Sequence, residues 1–523
     1  MRLAQNGSSW SAGAILLGAI VFAVLLAAPG VTITASYVND LFIFLDGAHR
    51  IASGQIPNRD FHTALGPLSF YIPAWGYWLS GTMGGAMPSG MALATLVLAM
   101  PIAHVLSSRL HPILALPYGL FLLLVLAAPL NLGESITALS FAMFYNRIGW
   151  AALGALLIMY LRPERCRPWQ EGIDAVSAAV LTLVMLYTKI TYGLVALTFL
   201  TFLLSDSRQR RWVAAAIALI LISGIGIEAF WRSTPAYIAD LVMSAQVSGS
   251  RSPADLTGTF IRHLADYTLL GIFAALVLPR TRSLRDLLFF GFCTVPGLLI
   301  QNQNSQPWGI LTIHAGAAVA AEMILRLRAQ HSSQEFPPSS FATGAPLPLM
   351  AMILPTLLHC FMALGLHTAM AVARSGKAFD LPKFAEVRLI APWLSEKRTL
   401  MHVYLESIES GARALESLPE ALTKVSVLDF ANPFSVGLGL PPPRGDSAWL
   451  HWNRNVNASH FIPPEQYFSD VNILMLPKWG INHAPLRELY QAYIDANFEP
   501  LHDTEGWIIY RRKTQEVATK APF

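Results

Sequence analysis

Residues 37–81 read YVNDLFIFLDGAHRIASGQIPNRDFHTALGPLSFYIPAWGYWLSG. Asp40, Asp46 and Asp60 stand here among Arg50, Arg59, His49 and His62, and Gly66-Pro67 opens an aromatic run. An apolar run at 12–34 comes directly before, long enough to cross the ~30 Å hydrocarbon layer of a bilayer. It is too long for a signal-peptide core and lacks a clear small-residue cleavage site, so it reads as a retained span. The charged stretch therefore lies at a membrane surface. A plain tether between two spans needs no such cluster, whereas acid and base chemistry at a membrane face does.

Working outward, apolar residues make up 54% of the chain and charged residues 13%, about half the charge of a soluble protein. About eleven apolar segments follow one another, near 12–34, 88–107, 112–131, 147–161, 174–188, 191–205, 212–230, 264–279, 287–301, 308–325 and 346–369. The expected fold is a polytopic α-helical membrane protein of about eleven transmembrane helices, spanning 1–370, with a C-terminal extracytoplasmic α/β domain at 375–523. Arg109, the Arg162/Arg165/Arg167 group, Arg208/Arg210/Arg211, Arg280/Arg282/Arg285 and Arg326/Arg328 occupy alternate connections. The positive-inside rule makes those connections and the N-terminus cytoplasmic, and the acidic loop external. A net charge of +4 says little about partners, and no nucleic-acid partner is expected. Cys166, Cys293 and Cys360 imply no disulfide framework.

Two segments test this topology. The apolar, aromatic stretch 67–80 is too short to cross and reads as an interfacial helix, broken from the next span by the glycines between 81 and 90. Residues 174–205 are too many for one crossing and too few for two, yet arginines flank both ends. They read as a hairpin of two short helices whose tip carries Thr188-Lys189-Ile190. A lysine there is costly unless it faces water or an anion, or snorkels outward. Beyond residue 370 strands are expected at 425–429, 471–476 and 507–510, and helices at 400–418 and 484–496, an α/β layer without a glycine-rich phosphate loop.

External carboxylates can serve as general bases, metal ligands or proton relays. Relay acids sit inside spans, and here Glu228 and Glu322 are the main ones, both near span ends. The pattern favours a site at the outer interface. Asp40 reads as a general base or as a cap of the following helix. Asp60 is a second acid or a partner of Arg59 or Arg50, and Glu134 a second acid or a solvated side chain. Asp46 reads as structural, and His49 and His62 as hydrogen-bonded loop residues rather than metal ligands. Asn302 and Asn304, in the polar run 301–304, are sugar-binding side chains or a polar turn. Asn457-Ala-Ser459 matches a glycosylation sequon.

An Asp just after the first span, then Gly54-Gln-Ile-Pro57, Asp60-Phe61, Gly66-Pro67-Leu68 and an aromatic run to Gly81 resembles the GT-C superfamily of integral-membrane glycosyltransferases, which includes protein O-mannosyltransferases and the lipid A aminoarabinose transferase. Thr188-Lys189 resembles the family's Thr-Lys-Gly element, with Ile190 in place of glycine. The family's second loop acid is absent, since Asn39 and Leu41 flank Asp40, so no metal or other cofactor is expected. The resemblance implies an inverting hexosyl- or pentosyltransferase in a bacterial inner membrane. It would move a sugar from a polyprenyl-phosphate donor to a lipid, glycan or protein acceptor on the outer side. The donor phosphate then falls to Lys189, Arg147, Arg251, Arg262 and His263, with the external loop 231–263 as a lid. The sugar or acceptor falls to Asn146, Tyr192, Asn302 and Asn304. The competing readings are a flippase of a lipid-linked saccharide and a non-catalytic scaffold that displays the C-terminal domain.

Overall fold

The computed structural model describes residues 2–164, 168–249, 252–303, 306–331, 344, 346–390, 400–418 and 422–513. In chain order the first part runs α1 (Arg2–Ala27), β1 (Thr32–Thr34), α2 (Val38–Ala52), α3 (Leu68–Ser80), α4 (Met83–Arg109), α5 (Pro112–Ala127), α6 (Phe144–Ile158), α7 (Gln170–Thr188) and α8 (Ile190–Leu203). It continues with α9 (Arg210–Trp231), α10 (Thr234–Ser248), α11 (Pro253–Arg262), α12 (Leu264–Thr281), α13 (Leu284–Gln303), α14 (Leu311–His331) and α15 (Pro346–Val372). The expected apolar segments coincide with α1, α4 to α9 and α12 to α15. Of the described helices, 7 are long and apolar enough to cross a membrane: α1 from Trp10, α4, α7, α9, α12, α13 and α15. The chain is a helical membrane protein.

Burial separates the helices by role. Every residue of α6 is buried, Asn146 and Arg147 included, as in a helix surrounded by others. By contrast, α9 exposes Leu221, Ile222 and Ile225 at 63, 65 and 72%, an apolar face suited to lipid.

Two expectations at the first span change. Residues 28–34 leave the helix, because Pro29 and Gly30 (φ +65°) break it and the β-branched Thr32–Thr34 pairs in parallel with Val387–Leu389. The glycines between 81 and 90 do not all break structure. Gly81 (φ +74°) ends α3, and Thr82 caps α4 by accepting from Gly85 N. Gly76 and Gly90 instead let α3 and α4 touch backbone to backbone. A Cβ on Gly76 would lie 1.9 Å from the Ala86 carbonyl oxygen, and one on Gly90 2.4 Å from that of Ile72.

At one end of the bundle the arginine-bearing connections converge. Arg109 pairs with Asp174 at 2.7 Å, and Arg162 and Arg285 each reach Asp206 at 2.8 Å. Arg326 pairs with Glu322 at 2.8 Å and donates to the carbonyls of Arg162 and Arg109. Asp174 opens α7 and Asp206 follows α8. The two ends of the α7–α8 segment therefore meet at one place, as a hairpin requires.

The second part contains β2 (Lys377–Ala378), β3 (Val387–Leu389), α16 (Leu400–Glu416), β4 (Val425–Val427), α17 (Pro433–Leu438), α18 (Pro464–Tyr467), β5 (Ile473–Pro477), α19 (His483–Asn497), β6 (Phe498–Asp503) and β7 (Trp507–Arg512). One sheet has the order β1-β3-β2 and the other β4-β5-β7-β6. Strand β6 was not among the expected strands, and it contains Pro500. It lies at the sheet edge, where proline is tolerated. This part shares its core with the first. Phe42 of α2 packs on Phe379 and Phe384 at ring distances of 5.5 and 5.4 Å, and buried Arg50 donates to Asp46 at 2.6 Å and Asp446 at 2.7 Å.

Candidate active site

Helix α2 begins at Tyr37, whose left-handed backbone (φ 54°, ψ 44°) turns the chain out of β1. This places Asp40 in the first helical turn, where backbone N–H groups favour negative charge. The Asp40 side chain is half-buried. Burial pushes the Asp40 carboxyl up to about 7, against the downward pull of the Arg454 guanidinium. Tyr145 of α6 and Tyr404 of α16 both lie close enough to feel its charge. Tyr37 donates from its hydroxyl to Glu134 at 2.7 Å.

Lys189 is the single extended residue (φ −153°, ψ 110°) between α7 and α8. Its Nζ donates to Asn146 Oδ1 at 3.1 Å and stands 5.1 Å from the centre of the Tyr145 ring. The first loop seats this tip. Gly66 N and Ser69 Oγ both donate to the Thr188 carbonyl at 3.1 Å. A Cβ on Gly66 would lie 2.2 Å from the Tyr187 carbonyl oxygen, so the Gly66-Pro67 pair is a contact surface for the hairpin.

Lys189 lines a cavity of about 1940 Å³. Leu186, Leu197, Ile217, Ile220 and Ile225 of α7 to α9, with Ile238 and Val242 of α10, form apolar walls. Tyr145, Lys189, Trp449, His451 and Arg454 give it a polar and aromatic side. Asp40 does not line the cavity. Its charge is coupled to two residues that do, Tyr145 and Arg454. A cation-bearing cavity with apolar walls suits an amphiphile with an anionic head, and a carboxyl near neutrality beside it suits proton acceptance.

The other expected residues divide between this cavity and elsewhere. Asn302 is on its wall, and Asn146 lies behind Lys189 as the acceptor of its ammonium. Asp60 is instead engaged away from the cavity. It accepts from Ile56 N at 2.7 Å and pairs with Arg444 at 3.1 Å and Arg59 at 3.3 Å. Glu134 is held by Tyr37. Arg147 is buried, does not line the cavity and lies near Cys360. Tyr192 is core, packed over Gly149 and edge-on to Trp150 at 5.1 Å. Arg262 is exposed and donates to Thr259 Oγ1, and buried His263 bonds the Thr259 carbonyl through Nδ1. Arg251 and Asn304 lie outside the described residues. The expected loop lid at 231–263 is helical over α10 and α11, and α10 is a cavity wall. Asp240 fixes α10 to the first loop by accepting from Asn58 Nδ2 at 2.8 Å and Thr63 N at 3.1 Å and bonding His62 Nδ1 at 2.7 Å. Asp46 and His49 are structural, paired with Arg50 and the Leu440 carbonyl. Among the described residues no group of three His, Cys, Asp or Glu side chains is placed to hold a metal ion.

The sequence reading passed over Trp449, His451 and Arg454. Their signal was the composition of the hexapeptide Trp449-Leu-His-Trp-Asn-Arg454, aromatic and basic within a loop.

No protein-family model and no curated protein matches the sequence. Among solved structures the chain is similar to ArnT from Cupriavidus metallidurans in the apo state, with a TM-score of 0.45 and 13% identity over 96% of this chain and 97% of that one. It is also similar to the Archaeoglobus fulgidus oligosaccharyltransferase in complex with zinc and sulfate, with a TM-score of 0.38 and 12% identity over 88% of this chain and 68% of that one.

Proposed function

We propose that the protein is a membrane glycosyltransferase that moves a hexose or pentose from a polyprenyl-phosphate donor to an acceptor hydroxyl or amine on the extracytoplasmic side of a bacterial inner membrane. The observation that carries this reading is the cavity beside Asp40, with Lys189 on its wall and apolar helices around it. The isoprenoid chain lies along α9 and α10. The donor phosphate meets Lys189, whose ammonium is oriented by Asn146 and the Tyr145 ring.

In the reaction the Asp40 carboxylate takes the proton of the acceptor. The freed lone pair forms a bond to the anomeric carbon from the face opposite the phosphate. The bond from that carbon to the phosphate oxygen breaks, and its electron pair leaves on polyprenyl phosphate, so the configuration inverts. The leaving phosphate is already a good leaving group. The protein supplies a base, a cation and a fixed geometry.

The test uses purified full-length protein in proteoliposomes with undecaprenyl-phosphate-linked hexose or pentose and a membrane-lipid extract as acceptor source. The expected result is release of undecaprenyl phosphate by the wild type and none by Asp40→Asn. Movement of intact donor across the bilayer without release would establish the flippase reading instead.

A further inference from the structure

The loop 449–454 is held unusually firmly for a surface segment. Asn455, buried, accepts from His451 N at 2.8 Å and donates to the Trp449 carbonyl at 2.8 Å. Asn482, fully buried at the start of α19, accepts from Trp452 N at 3.0 Å and donates to the Leu450 carbonyl at 3.0 Å. Two buried amides thus fix four backbone groups within four residues. Asn453, in the left-handed region at φ +59°, then turns the chain so that Arg454 follows.

The side chains of this loop are fixed as well. Phe430 packs against Trp449 at 6.1 Å and His451 at 5.5 Å. The Arg454 guanidinium rests on the Trp449 ring, 5.8 Å from its centre. Trp449, His451 and Arg454 all line the cavity that Lys189 lines. The Trp449 indole nitrogen is buried without a hydrogen-bond partner among the described residues. Arg454 also lies near enough to repel Lys189 and to attract Asp40. Two cations on the wall of one cavity suit an anionic group bound between them.

We propose that Arg454 is a second donor-phosphate cation, acting with Lys189 on one lipid-linked phosphate and positioned by Trp449, Asn455 and Asn482. The inference rests on the reading of the cavity as a polyprenyl-phosphate site. It makes the C-terminal part a component of the donor site. Of the two cations, arginine offers the planar, two-pronged grip on a phosphate, while lysine acts as a point charge.

The experiment measures binding of undecaprenyl phosphate, undecaprenol and phosphatidylglycerol to full-length protein in nanodiscs of zwitterionic lipid. Wild type should prefer undecaprenyl phosphate to both controls. Arg454→Gln should weaken undecaprenyl phosphate binding by about tenfold or more, the loss expected for one charge-assisted contact. Undecaprenol binding should be unchanged, and Arg454→Lys should recover part of the loss. Asn482→Ala, which leaves every charge in place, should lower the preference for phosphate over alcohol in the fraction that remains folded. If Arg454→Gln binds undecaprenyl phosphate like wild type, or loses phosphate and alcohol equally, the inference is wrong and the proposed function stands on Lys189 and Asp40. If the wild type shows no preference for undecaprenyl phosphate, the inference and the reading beneath it both fall.

Discussion

Asp40 is a carboxyl at the start of a helix, beside an arginine, that burial nevertheless holds at about 7. Its base form therefore grows in as pH rises through neutrality, and turnover should rise with it and level off above about pH 8 in a rate–pH profile. The same shift has a cost in stability. From the ordinary carboxylate range up to about 7 the folded chain keeps a proton that the unfolded chain releases, so stability falls as pH rises across that window. Asp40→Asn should flatten this slope in thermal unfolding followed from pH 4.5 to 8. In a transfer assay it should lower turnover by about 10²–10⁴-fold with donor binding retained. Near-normal transfer would remove Asp40 from the mechanism and leave Glu134 as the acid to examine, since Asp60 is committed to Arg444. Lys189→Ala should instead weaken donor binding by roughly 1.5–3 kcal/mol, read from titration with undecaprenyl phosphate. Lys189 was legible in the sequence because a cation in an apolar hairpin is conspicuous. Arg454 was not, because its placement depends on Asn482 and Asn455, and Asn482 is distant in sequence.

The hairpin of α7 and α8 is the element on which the site turns, since it lifts Lys189 to the first loop and returns. Cysteines introduced at Pro168 and Ser207, both exposed, should be labelled by an impermeant reagent from the same side of the membrane. Opposite-side labelling would contradict the meeting of Asp174 and Asp206 at one end of the bundle. Gly66→Ala should separate tip from loop, because its Cβ meets a backbone carbonyl that cannot swing away. A loss of ~1–3 kcal/mol in stability is expected from such overpacking, measured by thermal unfolding in detergent. The helices of the bundle were readable because lipid requires long apolar runs. Four other elements were obscure for local reasons. Strand β1 is a β-branched run fused to the end of an apolar span. Helices α10 and α11 are shorter and more polar than a span. Strand β6 contains a proline that only an edge position accommodates. Gly84, Gly85 and Gly90, inside α4, were misread as breakers because a close helix contact and a turn use the same residue.

At the scale of the whole molecule, the C-terminal part is built into the first loop. Strand β3 pairs with β1, Phe379 and Phe384 pack on Phe42, and Arg50 joins Asp46 of its own helix to Asp446 across the junction. Asp446 also accepts from Ser426 at 3.0 Å, its backbone carbonyl accepts from His62 N, and its neighbour Gly445 donates to the Asp60 carbonyl. The pair Arg50–Asp446 is out of water, with side chains 0% and 2% exposed. Deleting Asp446 leaves Arg50 with Asp46 and removes two charge-assisted hydrogen bonds, at 2.7 and 3.1 Å, each worth about 1.5–3 kcal/mol. Asp446→Ala should therefore lower the melting temperature of the full-length protein markedly. It should also reduce undecaprenyl phosphate binding, because the loop that presents Arg454 follows a few residues later and loses its anchor on α2. Removing all three charges, by Arg50→Met with Asp46→Leu and Asp446→Leu, leaves no buried charge unpaired and should restore part of the stability. If Asp446→Ala unfolds at the wild-type temperature and binds donor normally, the two parts are independent, and a C-terminal role in the donor site becomes untenable.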